Sequence, residues 1–492
     1  MRPPIRDLCI SETASVREAL EQIDKTALCF LFVVDGGNRL SGVITDGDIR
    51  RSFLKGVSIN DSIRNVMKHN FTSLPYNSPD HEIKKKLTDP IWFIPLIDSN
   101  GSPVDYATRT HQHSFPVAEP VFAGNELEYL EECIETGWVS SQGRFINLFE
   151  KHLSDFHNAG NVLAVSNGTT ALHLALAALG IGPGDEVIVP TLTFAASVNA
   201  IIYTGATPVF IDISAETWNL DVDCLEILIT DKTRAIMPVH LYGNPCSMDR
   251  IMEISKKHGL LVIEDCAEAL GASWNGRLVG TFGDASCFSF FGNKIITTGE
   301  GGAVIFKDAN IKEKAAVLRD HGMDKKRKYW HNEIGFNYRM TNIQAAIGVA
   351  QMERLGKILL QKDSILASYD EYLRPLDLLK RPCSHDRKAK SVCWLYTVSI
   401  DENLGLSRNE LLDRLLLCGV EARPVFYPLH HMPPYLKYAQ ERSFPVSEAI
   451  SRTGLSLPSS VKLSSDDIKV ICSKITTILN NRSALQNSLD LK

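Results

Sequence analysis

Two stretches near the start of the chain repeat one order of apolar and polar positions: FLFVVDGGNRLSGVITDGDI, beginning at Phe30, and WFIPLIDSNGSPVDYATRT, beginning at Trp92. In each, an apolar run closes on an acidic residue and a glycine-containing turn, with Asp35 and Asp98 in matching places. That pattern predicts a strand, a tight turn and a second strand. A helical pattern precedes each copy, SVREALEQI from Ser15 to Ile23 and SPDHEIKKKL from Ser78 to Leu87. The predicted unit is therefore helix, strand, turn, strand, used twice. HQHSFPVAEP, residues 111–120, has no periodicity and reads as a linker. From about Pro120 to Asn310, helical patterns alternate with DEVIVP, TPVFIDI, TRAIMPVHLYG, LLVIEDCAEA and ASCFSFF. This order predicts crossover connections and a mostly parallel sheet covered by helices. After about Leu366 the remaining helix and strand segments suit a smaller α+β domain. The expected division is 1–115, 116–365 and 366–492.

At 492 residues the chain exceeds a single ordinary core. Its 44% hydrophobic and 22% charged residues are the balance of a globular protein. A net charge of -6 supplies no global positive field for nucleic acid or anionic lipid. Met1 to Ser15 carries two arginines with no apolar run behind them, and Ala27 to Val34 is too short to span a bilayer. A cytoplasmic protein with neither a nucleic-acid nor a membrane partner is expected. Eleven cysteines are scattered from Cys9 to Cys472 without a CxxC pair, so neither a disulfide framework nor a metal site is expected. Cys266 and Cys287 are read as small buried hydrophobes.

Four elements of the central region carry chemistry. SNGTTALHLALAAL joins a strand end to an apolar-periodic helix, with Gly168 and Thr169 at its start, where exposed N–H groups and the helix dipole favour a phosphate. Simple helix capping is the alternative there. VIEDCAEALGA puts Asp265 at the end of an apolar strand, the edge at which open α/β sheets build ligand sites. A carboxylate there keeps a pyridine nitrogen protonated. Glu268 follows three residues on, within reach of a ring hydroxyl, or else as an exposed carboxylate at a helix start. SCFSFFGNKIITTGEGGAVIF holds a lone lysine, Lys294, in an uncharged, glycine-punctuated stretch where desolvation would lower its pKa and free its amine to react. Ser289 lies five residues earlier and offers a hydroxyl to a phosphate. Phe194, in TLTFAASVNA, follows the DEVIVP strand and could stack on a ring face or fill a core. Jointly the four serve phosphate, ring nitrogen, ring face and aldehyde, the needs of pyridoxal 5'-phosphate (PLP).

GTTALHLAL, GDEVIVPTLTF, VHLYG, EDCAEALG, FSFFGNKIITTGEGG, RDHG and GFNYRMTNIQAAIG occur in that order. From about Pro120 onward the chain thus resembles the DegT/DnrJ/EryC1/StrS sugar-nucleotide aminotransferases, which have the fold-type-I architecture. FSFFGNK with ITTGEGG looks most like the GDP-perosamine synthase branch. The resemblance implies that Lys294 carries the cofactor, that Asp265 partners the pyridine nitrogen, that Gly168, Thr169 and Ser289 hold the phosphate, and that Phe194 stacks on the ring. It implies that Asn337 reaches the cofactor phosphate of a neighbouring subunit, which makes the protein a homodimer or higher homo-oligomer. His321 and Arg339 are implied at the sugar-nucleotide end. Many members have Gln where this chain has Glu268, and the perosamine-like branch accepts Glu. A dehydratase branch has His in place of the lysine, so Lys294 argues against dehydration. His240, His430 and His431 stay unassigned, the ordinary reading of each being a hydrogen-bonded structural histidine.

The duplicated segment resembles a cystathionine-β-synthase (CBS) domain pair. In GVITDGDIRR, Thr45 and Asp48 match the family's GxxTxxD pattern, which implies a site for an adenine nucleotide. The second copy reads VDYATRT there and offers no equivalent pair, and a purely structural or dimer-forming role is the alternative. The implied activity is transfer of an amino group from an amino-acid donor, glutamate, to a nucleotide-linked 4-keto-6-deoxy sugar used in surface polysaccharide. Amination at C3 is one rival. The other is a nucleotide-sensing regulatory protein with an inactive PLP domain, against which Lys294, Asp265 and Ser289 count.

Overall fold

A computed structural model describes residues 3–26, 28–78, 80–87, 91–108, 115–376, 378–382, 388–439 and 442–480. Residues 111–114 of the expected linker lie outside the described residues. The chain forms two compact units, Met1–Phe115 with Asp413–Glu421, and Pro116–Leu412 with Ala422–Lys492.

In the first unit both copies of the repeat become three-stranded sheets, ordered Cys9–Ser11, Phe30–Val34, Leu40–Thr45 and Leu74–Pro75, Phe93–Ile97, Pro103–Thr108. Each sheet has one parallel and one antiparallel pairing, in the same order. The matched aspartates do the same work. Asp35 Oδ1 accepts from the N–H groups of Gly37 and Arg39 at 2.8 Å each, and Asp98 Oδ1 from those of Asn100 at 2.9 Å and Ser102 at 2.8 Å. Each carboxylate thereby closes its hairpin turn from within. Aromatic residues of both copies meet in shared packing: Phe30 stacks on Phe93 with centroids 4.2 Å apart, and Tyr106 meets Phe30 edge-on at 5.7 Å.

The second unit is built on a seven-stranded sheet ordered Val162–Val165, Gly302–Phe306, Ala285–Ser289, Leu261–Asp265, Thr233–Ile236, Glu186–Pro190, Thr207–Ile211. The mostly parallel arrangement predicted from the sequence is present. Only Gly302–Phe306 runs against its neighbours, because the chain returns through the Lys294 loop with no crossover helix. The strands are apolar runs rather than alternating ones because helices cover both faces. Gly168–Ala178 is buried along nearly its whole length, consistent with its Ala- and Leu-rich sequence. Cys266 and Cys287 are buried. A second, antiparallel sheet of four strands follows, ordered Leu379–Lys380, Tyr396–Ile400, Gly454–Leu457, Arg423–Pro424. The Leu355–Leu373 and Ser465–Asn480 helices pack together beside it. Among the described residues no helix is long and apolar enough to cross a membrane.

One carboxylate ties the strand that ends in Asp265 to its surroundings. Glu264 Oε1 accepts from the N–H groups of Phe282 and Gly283 and from Ser286 Oγ at 2.7, 2.8 and 3.0 Å, while Oε2 accepts from Gly280 N–H at 2.8 Å. His240 Nδ1 accepts from Cys246 N–H, so Nε2 carries the proton toward Glu264 Oε2 at 3.2 Å. Burial alone would raise this carboxyl; the His240 ring and the Gly283 and Gly280 N–H groups more than offset it and hold it below the ordinary range. Glu264→Gln would turn an amide N–H₂ toward a shell of donors. It should cost about 3 kcal/mol of stability in urea unfolding, whereas a wild-type midpoint would remove Glu264 from this role.

Candidate active site

The C-terminal edge of the parallel strands opens on a cavity of about 500 Å³. Seven of the residues singled out in the sequence line it together: Gly168, Thr169, Phe194, Asp265, Glu268, Ser289 and Lys294. Asp265 ends the Leu261–Asp265 strand, and Phe194 is the N-cap residue of the Ala195–Tyr203 helix. Lys294 comes from the loop between the Ala285–Ser289 and Gly302–Phe306 strands.

The charged groups lie close together in a water-poor setting. Lys294 Nζ is 3.7 Å from Glu268 Oε1, and both side chains are almost fully buried. The exposed reading of Glu268 therefore fails; its other oxygen accepts the Tyr242 N–H at 2.7 Å. Asp265 Oδ2 accepts from Ser197 Oγ at 2.7 Å and Oδ1 from Ala267 N–H at 3.1 Å. Burial pushes the Glu268 carboxyl up to about 7 against the pull of Lys294. It also raises Asp265, opposed mainly by the Ser197 hydrogen bond. Burial lowers Lys294, opposed by Glu268 and Asp265. The amine is thus driven toward its reactive neutral form, with the Glu268 carboxylate beside it to take its proton.

At the other end of the cavity, Asn167 caps the Gly168–Ala178 helix by accepting from Thr170 N–H at 2.9 Å. Capping belongs to Asn167, and helix geometry leaves the Gly168 and Thr169 N–H groups without intrahelical partners. A Cβ on Gly168 would lie 2.7 Å from Ser289 Cβ, so the helix start and the serine hydroxyl share one tight cradle. Phe194 leaves 60% of its surface exposed, which a core phenylalanine would not. A phosphate cradle, a buried carboxylate and a buried amine within one cavity fit PLP.

Asn337, His321 and Arg339 do not line this cavity. Arg339 binds them and Asp320 in a separate cluster: Nη1 to Asp320 Oδ1 at 2.7 Å, Nε and Nη2 to Asn337 Oδ1 at 3.2 and 3.0 Å, Nη2 to His321 Nε2 at 3.3 Å. In the first unit, Thr45 Oγ donates to Asp48 Oδ2 at 2.7 Å, and Arg51 and Lys68 hold Oδ1 at 2.6 and 3.0 Å. Thr45 and Asp48 thereby form the capping box of the Asp46–Phe53 helix. His430 is held between Thr191 Oγ, 2.7 Å from Nδ1, and Glu448 Oε1, 3.3 Å from Nε2.

Among the cavity and wall residues that the sequence reading did not single out are Ser197, Tyr242, Trp394 and Phe426. Ser197 stands in the same TLTFAASVNA run as Phe194, one helical turn on, and that spacing was the available signal. Trp394 and Phe426 come from the distant C-terminal part of the unit and no local pattern marks them.

Fold and cavity together define the class: a PLP-dependent aminotransferase of fold type I. The chain belongs to the DegT/DnrJ/EryC1/StrS aminotransferase family, whose profile matches residues 121–476, and a CBS-domain profile matches residues 1–55. It is 48% identical over 363 residues to the GDP-perosamine synthase of Caulobacter vibrioides, covering 74% of this chain and 98% of that one. Against the GDP-perosamine synthase of Escherichia coli O157:H7 identity is 46%, over 75% of this chain and 99% of the other. A Helicobacter pylori aminotransferase involved in the biosynthesis of pseudoaminic acid superposes with a TM-score of 0.72 at 27% identity, covering 75% and 100% of the two chains. The protein is accordingly a sugar-nucleotide aminotransferase.

Gly168→Ala tests the cradle. Crowding against Ser289 should weaken PLP binding by about tenfold or more, read by titrating cofactor-free protein with PLP and following absorbance. Unchanged affinity in a folded variant would separate Gly168 from the phosphate.

Proposed function

We propose that this enzyme aminates C4 of a GDP-linked 4-keto-6-deoxy sugar, with glutamate as donor and 2-oxoglutarate as co-product, in the cytoplasm and for surface polysaccharide. The identity to two GDP-perosamine synthases carries the choice of substrate. PLP, when bound, supplies an aldehyde that accepts the amino group and a protonated ring that draws electrons from the reacting carbon. Lys294 carries it. Gly168, Thr169 and Ser289 hold its phosphate, Phe194 covers a ring face, Asp265 keeps the ring nitrogen protonated, and Glu268 approaches the ring hydroxyl.

With PLP bound, Lys294 Nζ would be the base that takes the proton from the donor's α-carbon, and in the second half of the cycle it would give a proton to sugar C4. Glu268 keeps that amine in place. The enzyme works as a homodimer in which Asn337 reaches the partner's cofactor phosphate and His321 and Arg339 face the nucleotide sugar. Tyr329, Trp330 and Ile334 support this: they are large, exposed and apolar on the segment leading to Asn337. The chain divides as 1–115, 116–365 and 366–492, with the Leu355–Leu373 helix continuing across the last boundary. Thr45 and Asp48 belong to an adenine-nucleotide site.

The substrate is tested by loading the protein with pyridoxamine phosphate and adding keto-sugar nucleotides one at a time. A GDP-linked 4-keto sugar should restore the visible absorption of the PLP form. Restoration by a 3-keto sugar nucleotide instead would move the reaction to C3. The nucleotide site is tested by calorimetric titration with AMP and ATP. Asp48→Ala should weaken binding by at least about tenfold, and absence of binding at millimolar concentration to wild type would leave the CBS pair an assembly module.

A further inference from the structure

Lys294 Nζ has a second neighbour beside Glu268. The indole of Trp394 presents its face to the nitrogen, 4.0 Å from atom to ring centroid. Trp394 is 4% exposed and anchored on several sides. Its Nε1–H donates to the carbonyl of Asn293, the residue before Lys294, at 2.6 Å. Its own carbonyl accepts from Lys362 Nζ at 2.9 Å, and that buried lysine also donates to Ser459 O at 2.6 Å. The ring lies within 11° of parallel to Tyr242 at 6.0 Å. Close backbone approach at Gly243 is part of the fit, since a Cβ there would lie 2.9 Å from Trp394 N. The indole face is thus fixed relative to the Lys294 loop from both backbone and ring.

We propose that Trp394 is a catalytic residue whose ring face is the berth of the Lys294 amine whenever that amine is free of the cofactor. The inference rests on Lys294 being the cofactor-carrying amine. An aromatic face attracts an ammonium through its quadrupole, and more strongly where water is excluded. The charged groups facing Lys294 are Glu268 and Asp265, and Glu300 lines the same cavity. Lys362 directs its charge at the two carbonyls. Glu268 loses its charge on taking up a proton near neutrality, with its carboxyl pushed up to about 7 by burial. The attraction of the ring does not titrate. Trp394 therefore keeps Nζ positioned through the proton transfers that neutralise its carboxylate neighbour, and it favours the ammonium against the burial that disfavours it.

The test replaces Trp394 with mono-, di- and trifluorotryptophan, which drain the ring face while conserving shape. In full-length protein freed of cofactor, the pH midpoint of Lys294 acetylation by acetic anhydride is read by mass spectrometry. Stepwise fluorination should lower that midpoint by a total of about 0.5 to 1 pH unit. Trp394→Leu should lower it at least as far, and Trp394→Phe, which keeps a ring, should fall between. A flat fluorination series in folded protein overturns the berth. Addition of PLP checks the underlying reading separately: it should shield Lys294 from acetylation, and undiminished labelling would remove Lys294 as the cofactor lysine whatever the fluorination series shows.

Discussion

The site turns on one carboxylate placed where there is little water. Asp265 is buried at the end of a central strand, a placement that by itself favours the neutral acid. Ser197 and Ala267 supply the hydrogen bonds that oppose this, and Lys294 adds positive charge across the cavity. A neutral acid could not hold a proton on a pyridine nitrogen. In the proposed role, the charge that Asp265 offers a pyridine nitrogen therefore rests on two hydrogen bonds donated by the protein.

The same burial that threatens Asp265 is useful at Lys294 and Glu268. Lowering the amine and raising the carboxyl brings their proton affinities closer together. Glu264, one residue before Asp265, holds the strand end to the turn at Gly280 to Gly283 and to His240. Two adjacent carboxylates thus differ: Glu264 accepts hydrogen bonds from several donors and fixes the strand end, whereas Asp265 accepts one on each oxygen and faces the cavity.

Much of this was legible in the sequence because fold and cofactor impose local patterns. Strand ends followed by glycine, asparagine or acidic residues disclosed Gly168, Asp265 and Lys294, and the alternation of apolar runs with helical periods disclosed the parallel sheet. The repeat was legible down to Asp35 and Asp98, whose matching turns follow from side-chain chemistry alone. Trp394 was not legible, because its meeting with Lys294 is made by tertiary packing across about a hundred residues of chain and leaves no spacing to read. Nor was the pairing of Asp48 with Lys68, which lies on a different segment of the first unit. Asn337, His321 and Arg339 gather around one another and Asp320 rather than in the cavity, a grouping that no local pattern in the sequence announces.

The measurement that tests the central claim most directly is the nitrogen-15 chemical shift of the pyridine nitrogen in enzyme reconstituted with labelled PLP. An ionised Asp265 predicts a protonated pyridinium shift that stays constant across the neutral pH range. A shift typical of an unprotonated pyridine nitrogen over that range would contradict the account.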